Sequence, residues 1–180
     1  MMTVSISMQA LTFWRTVTAD GADLLGQLIG LLDEQGVRYC VVGGQAVNAY
    51  AEPLVSLDLD LAVASHDLPR LEAALVRRFD VKRFPNSLNV SLPGSDLRVQ
   101  FQTDLRYASF PERAQGREVL GLTLPVAAVE DVLQGKVWAA LDPDRRPSKR
   151  QKDLADIARL LEAHPHLRDL VPAEVLARLV

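Results

Sequence analysis

Two aspartates separated by one residue, Asp58 and Asp60 in the run LDLDLAV, carry the strongest chemical signal in this sequence. On a strand, positions i and i+2 project to the same side with Cα atoms ~6.5 Å apart, so both carboxylates can converge on one divalent cation. Two ionised carboxylates facing each other repel, and one is driven to protonate unless a metal or a basic group neutralises them. The competing reading is a solvated polar strand face, against which stand the flanking leucines and Ala62. Upstream, Gly43-Gly44 follows an apolar run and precedes a helix-length segment. Glycines there let backbone approach a ligand and aim helix N-terminal N–H groups at an anion such as phosphate. A purely structural Gly-Gly turn is an equal reading, and the spacing is neither GxGxxG nor GxxxxGK. Ser56 has no histidine at motif distance to make it a nucleophile; orienting Asp58 or touching a phosphate suits it better.

The elements that must hold these residues can be read from periodicity. Leu24, Leu25, Leu28, Leu31 and Leu32 recur at helical spacing, with Asp20 as cap and Gly36 as stop. Residues 37–42 read as a buried strand, 45–51 as a short helix ended by Pro53, and 57–63 as a strand with one core face and one acidic face. His66 or Asp67 caps a helix carrying Leu68, Leu71, Leu75 and Phe79. Residues 87–92 and 97–102 form a hairpin about the turn Pro93-Gly94-Ser95-Asp96, its second arm presenting Arg98, Gln100 and Gln102 on one face. One or two strands over 117–126 precede a helix at 129–141, a charged loop at 142–151, and helices at 152–163 and 172–179. The fold class is α/β in the α+β sense: a small mixed sheet with flanking helices and a helical C-terminal portion. Three parts follow: an N-terminal segment, 1–19, open to reading as a strand, a tail or a packing arm; a core, 20–126; and the helical portion, 127–180.

Composition limits the function classes. At 180 residues, 48% hydrophobic and 24% charged, the chain has the make-up of an ordinary globular domain. A net charge of -3 gives no general attraction to nucleic acid, so such contact needs a local basic patch. Arg145, Arg146, Lys149, Arg150 and Lys152 supply one; a solvated loop is the default for such a run, and a loop folded over the cleft would hold triphosphate or RNA. Lys136 is a further phosphate candidate, though a snorkelling surface lysine explains it as well. The lone cysteine, Cys40, sits in an apolar run as a structural thiol, and no run reaches the ~20 apolar residues of a membrane span, which together lead us to expect a cytoplasmic protein. His66, His164 and His166 form no metal set.

Taken together, Gly43-Gly44, eleven intervening residues and Ser56-Leu57-Asp58-Leu59-Asp60 resemble the DNA polymerase β-like nucleotidyltransferase superfamily. Within it the sequence is most similar to the small bacterial branch of minimal nucleotidyltransferases and AbiEii-type toxins. The likeness runs over roughly residues 24–163 and extends to LTLPVAAVEDVLQGKVWAAL and QKDLADIARLL, where Lys136, Lys152, Asp153 and Asp156 match a lysine-bearing helix followed by a Lys-Asp-x-x-Asp helix. The resemblance implies Mg²⁺ on Asp58 and Asp60, and nucleotide phosphates at Gly43, Gly44, Ser56, Lys136, Arg146 and Lys152. It implies NTP-dependent transfer of a nucleotidyl group to a hydroxyl of RNA, protein or a small molecule, in a toxin–antitoxin or phage-defence setting, with an antitoxin or a second copy as partner. One departure stands out. The superfamily's third carboxylate falls near Gln100, and glutamine cannot act as a base. The alternative is therefore a catalytically weakened nucleotide-binding or regulatory partner.

Overall fold

The computed structural model describes residues 23–179. The segment 1–19 and the expected cap Asp20 lie outside these residues. The first described helix, α1 (Leu24–Glu34), is instead capped by Asp23, whose carboxylate accepts the Gly26 N–H at 3.2 Å. It buries its five leucines and stops at Gly36, where φ is +59°.

Strand β1 (Tyr39–Val42) is buried throughout, and helix α2 (Gly43–Tyr50) starts at the glycine pair itself, two residues before the expected start. Strand β2 (Asp58–Val63) is followed by a 3-10 turn and helix α3 (Leu68–Leu75). Asp67 gives that helix no side-chain cap; its carboxylate pairs with Arg70 at 2.7 Å. The hairpin strands are β4 (Ser87–Ser91) and β5 (Arg98–Gln102), preceded by β3 (Asp80–Phe84), which the pattern did not reveal. Its sequence DVKRF is charged and mostly exposed because β3 is an edge strand, where charge blocks unwanted pairing. The stretch 117–126 resolves into β6 (Gln115–Val119) and β7 (Leu122–Val126), joined at Leu120 and Gly121, both at positive φ as tight hairpins require.

Helix α4 (Val129–Leu141) lies where periodicity puts it, but the loop after it is shorter than expected. Helix α5 spans Pro147–Ala163, because Pro147 takes the first helical position, where its missing N–H is no loss and its φ is already suited. The last expected helix, 172–179, shrinks to α6 (Ala173–Leu176) after a 3-10 stretch at Pro165–Leu170.

The seven strands form one mixed sheet in the order β3-β4-β5-β2-β1-β7-β6. Strand β2 is central, antiparallel to β1 and parallel to β5. Its Leu59 and Leu61 are buried while Asp58 and Asp60 face the other side, where α4 and α5 close over the sheet. A single hydrophobic cluster joins α1, the sheet strands, α4 and α5, including Leu28, Val41, Leu61, Phe101, Leu133 and Ile157. The buried Cys40 belongs to it, its thiol pushed up to about 12 chiefly by burial, so the structural reading of that residue stands.

Candidate active site

Register places the acidic strand in a polar row. Asp60 on β2 is paired with Gln100 on β5, Gln100 with Asn89 on β4, and Asn89 with Lys82 on β3. Residues paired in register point to the same side of a sheet. The row Lys82, Asn89, Gln100, Asp60 therefore crosses four strands on one face, and the group beside Asp60 is an amide. One step along, Asp58 is paired with Arg98, whose Nε lies 2.8 Å from Asp58 Oδ1. The hairpin pattern places Arg98 on the polar face; only the register shows which carboxylate it meets. Asp104 begins a 3-10 turn beyond β5 and binds Arg106 at 2.7 Å, and Asp96 is exposed in the hairpin turn, so neither restores a carboxylate at Gln100.

The glycine turn is built against this strand. Gly43 has φ +66°, and a Cβ there would overlap the Asp60 carboxylate. Around Gly44, by contrast, the position of a Cβ is open space. Behind the turn, the buried Gln45 donates from Nε2 to the Ser56 carbonyl at 2.9 Å, and the Asp58 N–H donates to Ser56 Oγ at 3.2 Å. Asn48 holds the same loop through Leu54, donating to its carbonyl at 2.7 Å and accepting its N–H at 2.9 Å. Helix α2 thus fixes the approach to Asp58 through side chains that gave no chemical signal in the sequence.

Two cavities share the wall formed by Asp60, Gln100, Gln102, Lys136, Arg145 and Asp153. The larger, about 470 Å³, adds Gly44, Ser56, Asp58, Arg98, Lys149 and Lys152. The smaller, about 260 Å³, adds Gly43, Asp104, Arg106, Tyr107 and Trp138. There Trp138 stacks on Phe110 at 5.9 Å and lies 4.8 Å beneath the Arg106 guanidinium. Asp60 is common to both cavities.

Helices α4 and α5 are joined by buried charge. Lys136 Nζ lies 2.7 Å from Asp156 and 3.1 Å from Asp153; Arg145 binds Asp153 at 2.8 Å and Arg159 binds Asp156 at 2.8 Å. Burial alone would lower the Lys136 pKa, but Asp156 and Asp153 outweigh it and hold the ammonium above the ordinary lysine value. The surface-lysine reading of Lys136 is thereby corrected: it is buried because two carboxylates on the neighbouring helix compensate its charge. Of the basic run, Arg145, Lys149 and Lys152 line the cavities, whereas Arg146 is exposed at the start of α5 and lines neither. Burial drives the Asp60 carboxyl up to about 6; Lys136, Lys152 and Arg145 oppose the rise and Asp58 adds to it.

The family described as "Nucleotidyl transferase AbiEii toxin, Type IV TA system" matches residues 83–180, more than half of the chain. The chain belongs to this family. The span matched to AbiEii holds Gln100, Lys136, Lys152, Asp153 and Asp156, but begins after the glycine turn and Asp58 and Asp60. The fold itself is matched over more of the chain. A crystal structure of ANT(2″)-Ia in complex with adenylyl-2″-tobramycin aligns over 88% of this chain and 98% of its own, at 15% identity and a TM-score of 0.61. A solution structure of the antibiotic-resistance factor ANT(2″)-Ia aligns over 82% and 91%, at 15% identity and a TM-score of 0.55. An antigenic nucleotidyltransferase-like protein from Paracoccidioides brasiliensis aligns over 94% and 98%, at 15% identity and a TM-score of 0.48. No curated protein sequence matches significantly. The chain thus has a nucleotidyltransferase fold, as its sequence resemblance implied. Among the described residues, no helix is long and apolar enough to cross a membrane.

Proposed function

We propose that this protein transfers a nucleotidyl group from an NTP to a hydroxyl acceptor. The observation that carries the reading is the pairing of Asp58 and Asp60 on the central strand, with the glycine turn packed directly on Asp60. Their donor set suits one hard divalent cation: two carboxylates with space around them match the way Mg²⁺ binds, through one or two carboxylates plus phosphate oxygens and water. Asp58 and Asp60 would hold Mg²⁺, which when bound stabilises charge on the reacting phosphate.

The chain's own residues have separable tasks. Gly44, with open space at its Cβ position and at the start of α2, admits phosphate to the helix N-terminus. Ser56 holds the Asp58 backbone, and Lys149 and Lys152 offer charge to a triphosphate in the larger cavity. Arg145 takes the part first given to Arg146, and Lys136 acts on Asp60 through the field of its charge. In the transfer, the acceptor oxygen bonds to the α-phosphorus as the bond from that phosphorus to the β-bridging oxygen breaks, and the electron pair leaves with pyrophosphate. The hydroxyl proton leaves to bulk water, since Gln100 cannot accept it and both carboxylates would be engaged by the cation. RNA, protein and small-molecule hydroxyls are all candidate acceptors. Family membership supports action as the toxin of a toxin–antitoxin pair, with an antitoxin as partner.

A second reading has its own support. Gln100 beside Asp60, and Arg98 on Asp58, favour a nucleotide-binding or regulatory protein with little turnover. Pyrophosphate release measured with each NTP and Mg²⁺ decides between them. Turnover that is lost in Asp58→Asn supports the transferase; NTP-dependent thermal stabilisation without turnover supports the binding protein; no stabilisation by any NTP overturns both.

A further inference from the structure

We propose that the cleft takes a single divalent cation, between Asp58 and Asp60, and that the Arg98 guanidinium supplies the second positive charge on the Asp58 side. This rests on the nucleotidyl-transfer reading and specifies how its site is charged.

Three observations carry it. First, among the described residues no group of three or more histidine, cysteine, aspartate or glutamate side chains is placed to hold a metal ion. Two divalent cations side by side would have to share the pair Asp58 and Asp60, with only phosphate oxygens and water as their other ligands. Second, the position on β5 in register with Asp60 is Gln100, whose amide oxygen carries no charge. A second cation placed between β2 and β5 would find one carboxylate and one amide. Third, the strand position in register with Asp58 already holds a permanent cation. Arg98 Nε is 2.8 Å from Asp58 Oδ1, which puts the guanidinium charge directly on that carboxylate.

The placement is specific. The Arg98 side chain is 71% exposed, yet it folds onto Asp58 rather than extending into solvent. It lines the larger cavity together with Gly44, Ser56, Lys149 and Lys152, the groups offered to a triphosphate. One guanidinium nitrogen engages Asp58, which leaves planar donors suited to a phosphate oxygen. Arg98 therefore orients Asp58 and faces the bound nucleotide, while a metal ion drawn to Asp58 must compete with it.

Counting bound Mn²⁺ by electron paramagnetic resonance, with full-length protein and α,β-methylene-ATP, reads this without catalysis. The expected result is one Mn²⁺ per chain in the parent protein and two in Gln100→Asp. Without nucleotide, Arg98→Gln is expected to bind its one Mn²⁺ about fivefold more tightly, because a competing ion pair of roughly 1 kcal/mol is gone. Arg98→Lys, which keeps the charge but not the fork, is expected to bind Mn²⁺ as the parent does and nucleotide more weakly. Melting temperatures of all variants without metal control for folding. Two Mn²⁺ per chain in the parent, or unchanged Mn²⁺ affinity in Arg98→Gln, overturns this inference and leaves the transferase reading intact. No bound Mn²⁺ at all overturns both.

Discussion

Single residues in this cleft are held in states that cost stability, and the cost can be measured. Burial lifts the Asp60 carboxyl from 3.8 to about 6, so the folded chain binds a proton more tightly at this group than the unfolded chain does. Stability from this group is thus full below pH 4 and is lost as pH rises towards 6, by roughly 2–3 kcal/mol as an upper bound. Asp60→Asn, neutral at every pH, is expected to melt a few degrees higher than the parent at pH 7.5, the gain vanishing by about pH 4. Differential scanning calorimetry across that range checks it; a gain independent of pH would contradict the charge argument. The two glycines make a contrasting pair. Gly43→Ala is expected to lose about 2 kcal/mol from its positive φ alone, and more as Asp60 is displaced. Gly44→Ala has room and a helical position, so it is expected to fold as well as the parent while binding NTP more weakly. Urea titration and NTP-dependent melting separate the two effects. That Asp58 and Asp60 share a face, and that Gln100 lies on the polar face of its strand, was legible from alternation, because period two determines which side chains share a face; that Gln100 stands near Asp60 came from the family resemblance. The pairing of Arg98 with Asp58 was not, since it depends on which strands become neighbours and in what register.

Between elements, the decisive contact is electrostatic. Lys136 on α4 and Asp153 and Asp156 on α5 are all buried, and each aspartate also has an arginine. Replacing Lys136 by Met removes the charge common to both and leaves buried carboxylates short of compensation. A loss of about 3 kcal/mol is expected in chemical denaturation, far beyond the near-zero effect of a surface lysine. The sequence misled on this residue because a lysine among apolar neighbours looks the same whether it snorkels or is buried against a partner helix. It misled on 142–151 for a related reason: proline and charge mark loops on average, yet Pro147 starts α5. Strand β3 escaped notice because edge strands carry the charges that elsewhere mark a loop. Where a segment's polarity came from its place in the sheet or its partner, and not from its own geometry, the pattern could not reveal it.

At the scale of the molecule, sheet and C-terminal helices are joined across a seam of backbone and core. The Ala127 N–H donates to the Val41 carbonyl at 3.0 Å, Tyr50 Oη donates to the Ala127 carbonyl at 2.8 Å, and one hydrophobic cluster runs through both portions. A chain cut after Val126 would expose the apolar faces of β1 and α2 and remove the helices that cover the acidic row. We expect such a fragment not to fold, and the whole chain to unfold in urea in one transition, with circular dichroism and tryptophan fluorescence coincident. Separate midpoints would show that the two portions are independent units.

The close packing of Gly43 on Asp60 has a consequence for how such a site can change over time. With no room for a Cβ between turn and carboxylate, a larger residue at 43 becomes tolerable only after Asp60 has been shortened or lost. A lineage that abandons catalysis can therefore drift at the glycine only in that order. Restoring activity to such a descendant would require reverting the turn before the acid. A larger side chain at position 43 of a relative thus signals that Asp60 has been shortened or lost, whereas glycine there is compatible with either state because its positive φ favours glycine in any case.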